Sequence, residues 1–181
     1  MQTHNRHEAS RRTVIRRALL YGALFFLTAL LQCSFFPELS FLPAIPNLTL
    51  GALVAVSLFD TRETALISAI ASGFLLDTLG SSGLSLTPLF FLLIAAVFSG
   101  IAKKILPSFI TYAVLMLPAS FCGALYTLLM LKISGGTAPL GGLITSTLLP
   151  ELILTLVFSL PLCIPAKLIS RFVDAKSKFK L

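Results

Sequence analysis

Few residues of this chain could do chemistry. Asp77 stands inside an apolar run, in the stretch GFLLDTLGSSG from Gly73 to Gly83, and Glu151 follows Leu149-Pro150 at the head of another. Asp60, Arg62 and Glu63 cluster between two further runs. A carboxylate in lipid costs about 2.5–3.5 kcal/mol at the bilayer centre and less toward the headgroups, so Asp77 needs a structural or functional reason. Both histidines, His4 and His7, lie in a polar N-terminal segment, which leaves no imidazole among the apolar runs to act as base, proton relay or ligand. Cys33, Cys122 and Cys163 fall in three separate apolar runs without CxxC or Cys/His spacing, so neither a disulfide framework nor a metal site is indicated. The glycine-rich Gly135–Gly142 is not followed by a phosphate-binding lysine, and no dinucleotide fingerprint occurs. A coupled pump needs several partnered ionisable groups inside the membrane, and Asp77 alone qualifies. The expectation is a non-enzyme with no catalytic residue, no cofactor and no metal, which works by binding.

The elements that position these residues follow from composition. The chain has 181 residues, 56% hydrophobic and 12% charged, with mean hydropathy +0.96, far more apolar than a soluble domain. The expected fold is an all-α membrane protein, a compact bundle of about six transmembrane helices. The expected spans are 18–36, 47–59, 64–80, 88–102, 107–131 and 148–168, forming one domain over 18–168 between basic cytoplasmic tails at 1–17 and 169–181. Phe41–Asn47 enters the membrane as irregular chain and Asn47 caps the second span. Pro118 is expected to kink the fifth span, and Pro150 suits the first turn of the sixth with Glu151 at the positive end of its dipole. Asp60, Arg62 and Glu63 are expected in a solvated turn.

A net charge of +7 in such a chain is an orientation signal and a match to lipid headgroups, with no nucleic acid implied. With the N-terminus inside, every Lys and Arg except Lys132 faces the cytoplasm, and so do both termini. Ser10–Arg16 resembles a twin-arginine leader and Leu30–Cys33 a lipoprotein box, but the apolar run is long and lacks a small-x-small cleavage site, so an uncleaved first helix is expected. Asn47-Leu-Thr49 matches a glycosylation acceptor but belongs to a helix start in the membrane region.

Steps of four back from Asp77 reach Gly73, Ala69 and Ala65, so one helix face carries three small residues and then the acid. Small-xxx-small spacing lets helix backbones approach closely where apolar burial cannot drive association. Ser68 and Ser72 flank the stripe. At 1.5 Å per residue Asp77 lies about 4.5 Å from the outer end of its span. Gly80 and Gly83 bracket Ser81 and Ser82 in a tight outer turn, where the acid can accept hydrogen bonds from the loop or from a partner. Similar spacing recurs at Ala18/Gly22, Gly51/Ala55, Ala95/Ser99, Ala96/Gly100 and Ala119/Gly123/Thr127.

The segment Pro46–Leu89 resembles the central signature of the rod-shape-determining MreD family: a Pro-Asp opening of the second span, a charged reversal, then G-x-x-x-D and a glycine turn. The matching positions are Pro46, Gly73, Asp77, Gly80 and Gly83, and Leu149-Pro150 matches the opening of the family's last span. Asn47 departs from the family's Asp, keeping the cap and losing the charge. The resemblance implies a non-enzymatic scaffold of the bacterial cytoplasmic (inner) membrane. It would bind MreC and, through it, connect to the glycan polymerase RodA, its class B penicillin-binding transpeptidase and, indirectly, the MreB filament. The family's fold is similar to the S components of energy-coupling-factor transporters, so the alternative is a vitamin-binding subunit that docks through Ala18/Gly22 and holds an outer ligand cavity. The outer segments offer mainly Asn47, Ser81, Ser82, Ser85, Thr87 and Tyr126, a poor lining for such a cavity, which favours the scaffold.

Overall fold

The computed structural model describes residues 2–39, 42–80, 86–133 and 148–178, with side chains between 14 and 173. Every regular element among them is helical. Helix α1 spans Gln2–Leu30 and continues through a π-helical turn, Leu31–Phe35, into the short α2, Phe36–Glu38. Pro37 explains the turn: it has no N–H for the carbonyl of Cys33, four residues back, and its ring crowds that carbonyl. The basic segment expected as a tail is thus a helical extension of α1 from Gln2, and the C-terminal one is likewise helical to Lys178.

Helices α3 (Leu48–Phe59), α4 (Arg62–Leu79), α5 (Thr87–Ala102) and α6 (Phe109–Ile133) follow, then α7 (Leu149–Ser159), a 3-10 turn at Leu160–Leu162 and α8 (Cys163–Lys178). Pro161 lies in that turn, and lacking an N–H it marks the break between α7 and α8. Pro118 lies inside α6, which the structure carries through as one helix. Three stretches, Val14–Glu38, Phe109–Ile133 and Leu149–Val173, are long and apolar enough to cross a membrane, while α3 and α5 are shorter apolar helices.

The centre of the molecule is α3. Every residue from Leu48 to Leu58 is buried, and α1, α4, α5, α6, α7 and α8 all pack on it. Gly51 admits α7: a Cβ there would lie 2.5 Å from Ser159 Cβ. Fully buried Tyr112 on α6 donates its hydroxyl proton between two carbonyls, Ser159 at 2.8 Å and Gly51 at 3.1 Å, tying three helices together.

Hydroxyl side chains are mixed into the apolar interior, and the exterior is aliphatic and aromatic. Thr28, Thr49, Ser57, Ser72, Ser120, Thr155 and Ser159 are buried, while Ile67, Phe74, Leu93, Ile110, Val114, Leu117 and Phe121 point outward. Several inner hydroxyls bond within their own helix, as Ser57 does to the Leu53 carbonyl at 2.8 Å. Small and hydroxyl residues among the buried side chains, with large aliphatics facing outward, suit helices packed in lipid, where apolar surface gains nothing from burial.

Candidate functional site

Helix α4 starts at Thr61, whose side chain accepts from the Thr64 N–H. Its buried face holds Ala65, Ala69, Ser72 and Gly73, and α5 is its most extensive neighbour. Gly73 makes that approach possible, because a Cβ would strike the Pro88 backbone, 2.6 Å from its N and against its Cα. The small-residue face is therefore used inside the molecule, against α5, and is not an open surface for a partner. The outward face of α4 carries Ile67, Ile70 and Phe74.

Asp77 stands one turn beyond Gly73 on the same face. Since α5 begins at Thr87 and Gly73 abuts Pro88, Asp77 lies past the N-terminal end of α5. The side chain is half-buried, and its Oδ1 is enclosed with no hydrogen-bond partner among the described residues. Gly80 closes α4 through its N–H to the Leu76 carbonyl at 2.8 Å. Gly83 and the expected turn donors Ser81 and Ser82 lie outside the described residues.

The other motif residues gather at the start of α3. Pro46 is fully buried, and Asn47 Oδ1 caps α3 by accepting from the Leu50 N–H at 3.1 Å. The Asn47 N–H donates to Thr155 Oγ1 of α7 at 2.9 Å, which fixes the irregular entry chain against the first turns of that helix, where Pro150 sits.

A cavity of about 740 Å³ opens at this end between the π turn, the chain before α3, the end of α4, α6 and α7. Its described lining includes Gln32, Asn47, Gly80, Thr127 and Glu151 among apolar side chains. Asp77 and Gly73 are not in it. Thr127 Oγ1 donates to Glu151 Oε1 at 2.9 Å, and Gln32 Oε1 accepts from both the N–H (3.2 Å) and the hydroxyl (3.1 Å) of Thr49. Glu151 is only 6% exposed.

This polar lining corrects the expected poverty of the outer segments. Thr87 and Tyr126, expected to supply polarity there, instead bond each other at 3.0 Å, with Tyr126 stacked on Phe90. The sequence reading missed Gln32, Thr127 and Glu151 as a group. The available signals were a glutamine inside an apolar run and an acid at the head of another.

The opposite end holds Arg17, Arg62, Lys103 and Lys167. Arg17 pairs with Asp60 Oδ1 at 3.0 Å, Tyr21 donates to Asp60 Oδ2 at 2.7 Å, and the Asp60 side chain is 2% exposed. The α3–α4 turn is solvated at Thr61, Arg62 and Glu63, as expected, but the Asp60 side chain is a buried clamp to α1, because Arg17 and Tyr21, one turn apart, converge on both its oxygens. Ser170 of α8 donates to the Phe59 carbonyl at 2.7 Å, and Lys167 lies over the Phe59 ring. Arg62, Glu63 and Lys103 line a cleft beside Asp60. No protein-family model, curated protein or solved structure matches the chain.

Proposed function

We propose that this protein is a non-enzymatic scaffold of the bacterial cell-wall elongation complex, an MreD-like six-span protein of the cytoplasmic membrane that binds MreC. Through MreC it would help to organise RodA, its class B transpeptidase partner and the MreB filament. The observation that carries the reading is the α4–α5 hairpin: the signature glycine, Gly73, sits against Pro88, and the signature acid, Asp77, follows one turn later, past the N-terminal end of α5. Pro46 and Asn47, the other end of the signature, fix the start of the central helix. The motif residues thus serve the architecture that a scaffold presents.

Sidedness has its own support. Arg17, Arg62, Lys103 and Lys167 share the end of the bundle marked by Asp60 and Phe59, as expected if that end is cytoplasmic. Both termini then lie inside, and the cavity faces outward. The outer surface retains places for partner helices: a Cβ added at Gly22 or Gly100 would meet nothing within 4 Å.

Depletion in the source cell tests the function. Loss of elongation and rounding, rescued by the wild-type gene and not by Gly73→Leu, is expected. Unchanged shape and wall synthesis after depletion would refute it.

A further inference from the structure

The cavity contains a set of polar atoms that the scaffold role does not use. Its described lining carries one carboxyl group, Glu151, with neither Lys nor Arg beside it. Glu151 is 94% enclosed by the protein on a 6% exposure, yet only Oε1 has a hydrogen-bond partner among the described residues, the Thr127 hydroxyl. A buried carboxylate with one neutral donor is poorly compensated, and a cation at its second oxygen would complete it.

The two amides of the lining have fixed orientations. Gln32 must direct Oε1 to Thr49, because a backbone N–H donates to it, and Asn47 must direct Oδ1 to the Leu50 N–H for the same reason. Each therefore offers its NH2 as the unused end, without a partner among the described residues. One carboxyl group and two amide donors share a space bounded by Phe36, Leu39, Leu42, Ile45 and Leu79. At about 740 Å³ the space is within the range of ligand cavities, roughly 300–1,000 Å³.

We propose that this cavity binds a primary ammonium that carries an oxygen acceptor on the second carbon and an apolar body. Glu151 takes the ammonium, the NH2 groups of Gln32 and Asn47 donate to the oxygen, and the aliphatic and aromatic wall holds the remainder. Both a free amino alcohol and an ethanolamine lipid headgroup have this chemistry. The site goes beyond the scaffold role, and its occupancy is measured independently of complex assembly.

The test uses the full chain in phosphatidylcholine nanodiscs, titrated with phenylalaninol by saturation-transfer NMR against empty discs, with 3-phenylpropan-1-ol as the amine-free control. Saturable binding of phenylalaninol alone is expected. Glu151→Gln should weaken it on the order of tenfold or more, as expected for loss of a charge-assisted hydrogen bond. Ala44→Phe, which fills the cavity from its lining loop, should abolish it even if Glu151→Gln does not fold. Absence of saturable binding, equal binding of the control, or undiminished binding to folded Glu151→Gln or Ala44→Phe would overturn the proposal. Adding phosphatidylethanolamine identifies the source. Enrichment of that lipid on the wild type, displaced by phenylalaninol, assigns the site to a headgroup, and phenylalaninol binding without enrichment assigns it to a soluble amine.

Discussion

Gly73 and Gly22 look alike in the sequence, each spaced by four from an alanine, but their surroundings predict opposite responses to a side chain. At Gly73 even one methyl meets the Pro88 backbone, which cannot rotate away. Gly73→Ala should destabilise the protein by about 1–3 kcal/mol through overpacking, seen as a lower unfolding midpoint in mild detergent. Gly22→Ala should not lower that midpoint, because no atom lies within 4 Å of the new Cβ. Asp77 follows one turn after Gly73, and its enclosed Oδ1 has no hydrogen-bond partner among the described residues. Asp77→Asn loses no described hydrogen bond and should therefore fold with a stability change of no more than about 1 kcal/mol, measured in the same unfolding assay. An Asn variant that folds normally and still assembles with MreC would remove any role for the charge itself.

At the scale of elements, the helices were legible because apolar runs, the Asn47 cap and the proline positions mark their ends. α3, α4 and α5 lie within two residues of the expected spans. What could not be read was which helix is central. α3 is a short run of small and aliphatic residues, and nothing in its periodicity separates a helix covered on every side by protein from one facing lipid. The π turn was hidden for a similar reason: Pro37 was visible, but its effect on the carbonyl of Cys33 appears only once the helix continues through it. The hub around α3 makes its own prediction. Tyr112→Phe removes the single proton shared by the Gly51 and Ser159 carbonyls and should cost about 1–3 kcal/mol, the penalty for unsatisfied buried acceptors, read from thermal unfolding.

For the whole molecule, composition and the distribution of positive charge indicated a helical membrane protein, and the structure adds a large apolar exterior, buried hydroxyls and one cation-rich end. The cavity was not legible, because Gln32, Asn47, Thr127 and Glu151 come from four regions of the chain and converge only through tertiary packing. Asp60 misled for the same reason, as its partners Arg17 and Tyr21 are about forty residues away. The scaffold reading stands or falls on what this bundle holds in the membrane. The decisive measurement is purification of the tagged protein from its native membrane in mild detergent, with mass spectrometry of every protein that remains bound. Stoichiometric MreC together with RodA and its transpeptidase is the expected result, and retained coupling-factor ATPases in place of MreC would contradict it and establish the vitamin-capture alternative.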